Sequence, residues 1–239
     1  IYIVTMSNIK ALIKPVTPFQ QNAPVVFCIQ SRKCAFVDPG GEIEILLNTA
    51  KKHSLIPEKI LLTHGHIDHA GGAEELADIL QIPIVGPHKK DKFLLDGLED
   101  LGQKLGVHAR NCSPSIWLDE GDKVTIGKVT LDVYFCPGHT PGHIIFVQKE
   151  SKLALVGDVL FNGSIGRTDL PGGNYQQLID SIDQDLEYAI NHDASWKVED
   201  VENYDAVRNE IVSSLQNLRD MPNREEEPLI YHLDVAAMY

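Results

Sequence analysis

Residues 63–72 read Thr63-His64-Gly65-His66-Ile67-Asp68-His69-Ala70-Gly71-Gly72. Within six residues this stretch places three histidines and one aspartate, side chains that commonly bind metal ions. It directly follows the apolar run 60–62, so a strand ending there would present all four side chains in one loop. The glycines of the stretch allow the backbone to fold tightly enough for the side chains to converge. Neutral imidazoles suit zinc or iron, and a carboxylate suits a second or bridging position. The stretch therefore predicts a metal site rather than an ordinary polar loop.

The composition limits the class of protein. The 239 residues allow one large domain or one domain with an appendage, and 43% apolar residues are enough for a buried core. A net charge of −13 would repel nucleic acid and anionic lipid. No apolar run reaches the roughly 18 residues that a membrane span needs. The four cysteines form no C-x-x-C pair, which favours a reducing compartment, the cytoplasm.

Strand-like and helix-like segments alternate along the first 160 residues, which predicts an α/β fold with sheets covered by helices. The strands are short runs of β-branched and aromatic residues, and the helices show apolar spacing of three and four residues. Strands are expected at 23–29, 34–37, 59–63, 82–85, 124–126, 129–135, 143–148 and 153–156. Helices are expected at 42–53 and 73–81.

Two further motifs stand at predicted strand ends. Residues 136–143 read C-P-G-H-T-P-G-H and contribute His139, and residues 157–158 read G-D and contribute Asp158. Each is a weak signal alone, since an aspartate at a strand end commonly caps a turn. Three strand-end motifs in one chain together indicate a metal cluster of four histidines and two aspartates.

These motifs resemble the metallo-β-lactamase superfamily, and within it the short glyoxalase II-like proteins, which are hydroxyacylglutathione hydrolase-like. The resemblance covers about residues 8–186. Besides the histidine loop, it depends on V-D-P-G-G at 37–41, P-G-H-T-P-G-H at 137–143 and L-F-N-G-S-I-G-R-T-D-L-P-G-G at 160–173. The histidine loop is specific to the superfamily, and the last stretch is specific to the glyoxalase II-like branch.

The resemblance implies an αββα sandwich with two divalent metals, zinc first and iron or manganese as alternatives, at one edge of the two sheets. A metal-held hydroxide would attack the carbonyl of a thioester or ester, since a divalent metal activates water and polarises the carbonyl. Asp68 and Asp158 would thus take part in catalysis. The first metal would be held by His64, His66 and His139, the second by Asp68 and His69, with Asp158 bridging both.

Other residues receive supporting roles from the resemblance. Asp38 and His143 would orient the ligands by hydrogen bonds, although a purely structural role fits His143 equally well. Arg167 would lie either near the mouth of the site or in a structural turn. Cys136 is interpreted as a small buried apolar residue, because metal-activated water makes a protein nucleophile unnecessary.

The chain departs from the family pattern at the last metal ligand. The family expects it after the helix that begins near Asn174, in a segment resembling P-G-H-G, and no such segment is present. His192 and His232 lack that glycine turn and are interpreted as a surface and a strand histidine. The second metal site is therefore predicted to be incomplete, and the sandwich to lack its last strand and helix.

Residues from about 187 to 239 resemble the catalytic subunit of DNA polymerase epsilon in the region of the motif Y-H-L-D-V at 231–235. In that family the aspartate of the motif binds catalytic magnesium, and Asp234 occupies its position. The remaining polymerase parts are missing, and one carboxylate cannot support two-metal nucleotidyl transfer. Twelve acidic and four basic residues also make 187–239 a poor DNA binder. The sequence predicts two units, 1–186 and 187–239, joined near residue 186.

Three hypotheses follow. The first is a metal-dependent hydrolase of small-molecule thioesters or esters, with glutathione conjugates as candidate substrates, impaired by its missing ligand. The second is a mononuclear iron enzyme similar to persulfide dioxygenases, for which His64, His139 and Asp158 would suffice. The third is a polymerase epsilon fragment carrying a foreign N-terminal sequence, without polymerase activity. No membrane partner is expected, and a nucleic-acid partner is disfavoured on the grounds of charge.

Overall fold

Two β-sheets form the centre of the protein in a computed structural model that describes residues 8–161 and 164–183. In chain order the strands are β1 (Ile9–Leu12), β2 (Pro15–Val16), β3 (Gln21–Asn22), β4 (Val25–Cys28), β5 (Lys33–Val37), β6 (Ile56–Leu61), β7 (Ile84–Val85), β8 (Lys123–Ile126), β9 (Val129–Phe135), β10 (Ile144–Gln148), β11 (Leu153–Leu155), β12 (Leu160–Phe161) and β13 (Ser164–Ile165). The helices are α1 (Ile43–Lys52), α2 (Ile67–Ala70), α3 (Ala73–Leu80), α4 (Lys92–Leu95), α5 (Leu98–Leu105) and α6 (Tyr175–Ser181), with a 3₁₀ turn at Lys89–Asp91.

The two sheets differ in strand direction. The first has the order β1-β4-β5-β6-β7, in which β5, β6 and β7 run parallel and the other neighbours antiparallel. The second has the order β11-β10-β9-β8 and is antiparallel throughout. Two short pairs, β2-β3 and β12-β13, stand apart from them. Parallel strands need crossover connections, and α1 and α3 provide them here.

The core between the sheets consists of aliphatic and aromatic side chains from both. β5 and β6 contribute Ala35, Val37 and Leu61, and the second sheet contributes residues such as Leu131 and Phe146, all buried. β4 and β10 are buried along their whole length, which explains their continuous apolar sequences. β8 instead alternates exposed and buried residues, as a half-exposed edge strand does.

Helices cover the outer face of each sheet. On the first sheet, α1 packs through Ile43, Leu46 and Ala50, and α3 through Leu76. On the second sheet, Leu178 of α6 joins a smaller core with neighbouring strand residues. The order of layers is helix, sheet, sheet, helix, as the resemblance implies.

The predicted strands and helices are present, with bounds that differ by at most three residues. β1, β2 and β3 and the short helices between Lys89 and Leu105 were not predicted in this detail, because their apolar runs are too short to show a period. The predicted loss of a last strand and helix, and the unit 187–239, lie outside the described residues. Within the described residues no helix is long and apolar enough to cross a membrane.

Candidate metal centre

Four strand ends bring the predicted site residues together. β5 leads into Asp38, β6 into the histidine loop, β9 into residues 136–143, and β11 into Asp158. β5 and β6 are parallel, so their carboxyl ends meet at one edge of the first sheet, where the Asp38 N–H donates to the Leu61 carbonyl (2.9 Å). The ends of β9 and β11 reach the same edge from the second sheet. Side chains that lie far apart in the sequence thus surround one point.

One half of the cluster is formed by His64, His66 and His139, whose ligand atoms lie within 4.8 Å of one another. His139 Nε2 is 2.9 Å from His66 Nδ1. The other nitrogen of His139, Nδ1, donates a hydrogen bond to the Arg167 carbonyl (2.7 Å), so the lone pair of the neutral ring is on Nε2 and faces the cluster. His64 and His139 are buried, which excludes water as the usual partner of these nitrogens.

The hydrogen-bond pattern of His64 tests whether this half fits a metal ion. The Thr63 hydroxyl donates to Asp38 (2.7 Å) and so accepts a hydrogen bond from His64 Nδ1 (3.0 Å). This leaves the lone pair on His64 Nε2, a buried atom with no hydrogen-bond partner in the structure. His66 Nε2 is likewise buried and has no partner within residues 8–161 and 164–183. A buried acceptor without a donor is energetically costly, and a bound cation would satisfy both nitrogen atoms. These residues therefore fit a divalent metal ion, as the fold implies.

The other half of the cluster surrounds His69. Its Nε2 atom lies 3.1 Å from an oxygen of Asp158 and 3.7 Å from an oxygen of Asp68. The second oxygen of Asp158 lies 3.3 Å from His139 Nε2. Asp158 therefore contacts both halves, which is the geometry that a bridging carboxylate requires.

Burial controls the charge of the histidines. It lowers the pKa of His66 to about 3 and keeps the pKa values of His64, His139 and His143 below the ordinary range. These rings are neutral at pH 7 and can act as ligands without first losing a proton.

His69 and Asp158 carry opposite charges and lie in contact (3.1 Å). Burial alone would lower the pKa of His69, but the charges of Asp158 and Asp68 outweigh it and raise the pKa well above its ordinary range. Burial alone would raise the pKa of Asp158, but His69 and His139 lower it well below its ordinary range. A cation at this point would take the place of the proton on His69.

Asp38 is held by hydrogen bonds on both oxygens. Oδ1 accepts from the Thr63 N–H (2.8 Å), and Oδ2 accepts from the Thr63 hydroxyl and from His69 Nδ1 (3.1 Å). Although an Asp38 oxygen lies within 4.8 Å of ligand atoms of His64 and His69, these donors occupy it. The contacts support the predicted role of Asp38, which is to fix the orientation and tautomer of both rings.

His143 contacts the centre through Asp158. Its Nε2 atom accepts a hydrogen bond from the Asp158 N–H (3.1 Å), and its ring stacks on that of His64 at 4.6 Å. Its Nδ1 atom is buried and has no hydrogen-bond partner in the described part of the chain. These contacts agree with an orienting role, which stays a prediction for this residue.

Two glycines pass close to the backbone of the candidate ligands. A Cβ atom on Gly40 would lie 1.6 Å from the carbonyl oxygen of Asp68. A Cβ atom on Gly166 would lie 1.9 Å from the carbonyl oxygen of Asp158 and 2.9 Å from His139 Nδ1. Only glycine fits at either position without displacing a candidate ligand.

Arg167 was expected either near the mouth of the site or in a structural turn, and it has features of both. Its carbonyl contacts His139, while its exposed guanidinium pairs with Asp169 at 2.7 Å in the same turn. Cys136 is fully buried, as predicted. None of the four cysteines, all of which lie in the described residues, forms a disulfide bond.

The sequence did not single out Thr63 or Asp91, although both touch the histidine loop. Thr63 links Asp38 to His64. Asp91 is fully buried and accepts hydrogen bonds from Gly65, Thr140 and Gly142. The signal for Thr63 is its position as the first residue of the loop. Asp91 carries no local signal, because its partners are far away in the sequence.

The protein belongs to the metallo-β-lactamase superfamily, whose pattern matches residues 16–199. Among its relatives is the hydroxyacylglutathione hydrolase GloC of Haemophilus influenzae, which is 42% identical over 170 residues, covering 70% of this chain and 80% of GloC. Similar solved structures include the B3 metallo-β-lactamase BLEG-1, with a TM-score of 0.68, 34% identity and coverage of 74% of this chain and 85% of that one. The di-iron-bound form of TTHA1623 has a TM-score of 0.65 and 34% identity, covering 72% and 84%. The protein is thus a GloC-like metallo-hydrolase of this superfamily.

A separate segment of similarity links the chain to the catalytic polypeptide of DNA polymerase epsilon from Arabidopsis thaliana. The match is 46% identical over 97 residues and covers 38% of this chain but 4% of the polymerase. Because 38% of 239 residues is more than 187–239 contains, the match also takes in residues before 187. The join near residue 186 stays a prediction.

We expect Asp38→Asn to weaken metal binding by roughly 10- to 100-fold, the usual cost of losing a residue that orients a metal-binding histidine. The amide presents one acceptor atom where the carboxylate presents two, so it cannot accept all three hydrogen bonds, from the Thr63 N–H, the Thr63 hydroxyl and His69. Competition with a coloured chelator would measure the affinity. Asp78→Asn, the same change at an exposed position, should bind metal like the wild type. Equal affinities of the two variants would contradict the orienting role.

Proposed function

We propose that this protein hydrolyses small-molecule thioesters, with esters as a second substrate class. The observation that carries the proposal is the buried cluster in which Asp158 joins His69 to His139, beside His64 and His66. GloC, a relative at 42% identity, is named for hydrolysis of hydroxyacylglutathione, a thioester. The substrate we propose for this chain is accordingly a glutathione thioester.

In this proposal, His64, His66 and His139 would hold a first divalent metal, Asp68 and His69 would hold a second, and Asp158 would serve both. When bound, such ions supply water activated at neutral pH and polarise the carbonyl of the substrate. Imidazole and carboxylate ligands suit zinc, and they also accept iron or manganese.

The protein's own residues prepare the ligands for these tasks. The hydrogen bonds from His69 to Asp38, from His64 to Thr63 and from His139 to the Arg167 carbonyl each place a proton on Nδ1. His64 and His139 then direct an Nε2 lone pair at the centre, whereas Nε2 of His69 faces the same point with a proton that a metal ion would displace. Burial keeps bulk water from competing for these hydrogen bonds, so the ligand geometry is set before any metal arrives.

The second metal position has fewer ligands than the first. Among the described residues, those around His69 that can contribute are Asp68 and Asp158, and the further histidine that the family pattern expects would lie beyond residue 183. We propose that the second position is therefore occupied less fully than the first, and that turnover is correspondingly reduced.

Purified protein is expected to carry between one and two divalent ions per chain and to hydrolyse a 2-hydroxyacyl glutathione thioester. Element analysis gives the first value, and release of free glutathione thiol gives the second. His108→Ala removes an exposed histidine outside the cluster and should leave both values unchanged. A folded protein that binds neither zinc, iron nor manganese would contradict the proposal, as would a metal-loaded protein inactive on thioesters and esters.

A further inference from the structure

Asp91 is a buried carboxylate that lies between the two loops of the candidate metal centre. It ends the 3₁₀ turn Lys89–Asp91 that follows β7, and it is completely inaccessible to solvent. It is not one of the candidate ligands. Burying a charged group is costly, so its presence calls for a compensating role.

Its two oxygens connect the two loops. Oδ2 accepts from the Gly65 N–H (2.9 Å) and from the Thr140 hydroxyl (2.7 Å), and Oδ1 accepts from the Gly142 N–H (2.5 Å). Gly65 stands between His64 and His66 in the sequence, and Thr140 follows His139 directly. One side chain thus bonds to the immediate neighbours of all three histidines of the first half.

Gly65 and Gly142 leave room for Asp91 because neither carries a side chain. A Cβ atom on Gly142 would lie 2.6 Å from Asp91 Oδ1, and a Cβ atom on Gly65 would lie 3.3 Å from Asp91 Cβ. A side chain at Gly142 would force the loop away from Asp91, and one at Gly65 would crowd it. The two loops approach the carboxylate closely because they carry no side chain there.

The chemistry of the three donors matches an ionised carboxyl group. Burial raises the pKa of Asp91 to about 6, while the hydrogen bonds from Thr140, Gly65 and Gly142 favour the charged form. At pH 7 the group is therefore mainly a carboxylate, which only accepts hydrogen bonds.

We infer that Asp91 is a positioning residue that sets the distance between the His64–His66 pair and His139, and so preforms the first metal position. The inference rests on the proposed metal centre. Without the carboxylate, each loop would keep its own fold but lose the shared anchor that fixes one loop relative to the other.

Two variants test the hydrogen bonds of Asp91, one at the carboxylate and one at a donor. Asp91→Asn places an NH₂ group against at least one N–H or O–H donor, and Thr140→Val removes one donor while keeping the side-chain shape. We expect each to weaken binding of Zn²⁺ by roughly 10- to 100-fold in chelator competition, as loss of other supporting groups does. In the Co²⁺-loaded variants, the visible absorption bands should shift or weaken, which reports on ligand geometry rather than on stability.

Two controls separate positioning from general stability. Thr140→Ser keeps the hydroxyl and should retain Zn²⁺ affinity close to the wild type. Thr49→Val makes the same substitution at a threonine of α1, where the hydroxyl bonds to the Ile45 carbonyl away from the cluster, and should leave both Zn²⁺ affinity and the Co²⁺ spectrum unchanged.

The outcomes distinguish this inference from the proposed function. If the wild type binds Zn²⁺ but Thr140→Val and any folded Asp91→Asn bind it equally well with unchanged Co²⁺ spectra, the positioning role is wrong while the metal centre stands. Should Asp91→Asn fail to fold, Thr140→Val measured against Thr140→Ser decides alone. A wild type that binds no metal overturns the proposed function and this inference together.

Discussion

Asp158→Asn is expected to lower kcat/KM for thioester hydrolysis by about a thousandfold or more. Asp158 contacts His69 and His139 at 3.1 and 3.3 Å and so joins the two halves of the centre. Activation of water and polarisation of the carbonyl are together worth several kcal/mol, and about 4 kcal/mol corresponds to a thousandfold in rate. The amide keeps the shape of the side chain, and the backbone N–H of residue 158 still bonds to His143, so the loss should be chemical rather than structural.

The measurement combines steady-state kinetics with metal content per chain. We expect the variant to hold less metal than the wild type, with the larger deficit at the position around His69. Asp96→Asn is a matched control, because Asp96 is an exposed carboxylate paired with Lys92 away from the cluster. Wild-type kinetics of Asp158→Asn, with full metal content, would contradict the bridging role.

Removal of metal is expected to lower the unfolding temperature by roughly 8–16 °C. An ion present at about a thousand times its dissociation constant stabilises the folded state by about 4 kcal/mol. For a domain of this size, 1 kcal/mol corresponds to roughly 2–4 °C. The physical reason is that a bound ion would satisfy His64 Nε2 and His66 Nε2, which are buried and have no hydrogen-bond partner among the described residues.

Calorimetry with and without a chelator would measure this shift, and addition of Zn²⁺ or Mn²⁺ after removal of the chelator should restore the original temperature. Asp158→Asn serves as the internal comparison, because a protein that already binds metal weakly should respond less to the chelator. An unfolding temperature that does not change with chelator in the metal-loaded wild type would contradict the coupling of metal binding to folding.

Most of the fold, and the residues that make up the candidate metal cluster, could be predicted from the sequence. Each candidate ligand follows an apolar strand, and strand ends at one sheet edge meet in space whatever their separation in the chain. His64, His139 and Asp158 could therefore be grouped from the sequence. The direction of each lone pair could not, since it depends on partners such as the Arg167 carbonyl, a backbone atom with no sequence signature.

Asp91 shows where sequence reasoning ends. It lies in an irregular segment after two lysines, and its partners Gly65 and Gly142 are 26 and 51 residues away. A single aspartate in such a segment is most simply interpreted as a solvated turn residue. Only the packing of α4 and the histidine loop around it reveals a buried carboxylate. The unit predicted for 187–239 is a different case, because it lies outside the described residues.

The close approach of Gly40 to Asp68 and of Gly166 to Asp158 has a consequence for how this site can evolve. Each glycine packs closely against the carbonyl oxygen of a candidate ligand, so the backbone of that ligand has little room to move towards the glycine. We therefore expect changes of metal preference in this frame to come from exchanged side chains rather than from a shifted main chain, because the main chain is closely packed at both ligands. Descendants would be expected to differ in which atoms bind the metal while keeping the same positions from which those atoms are presented.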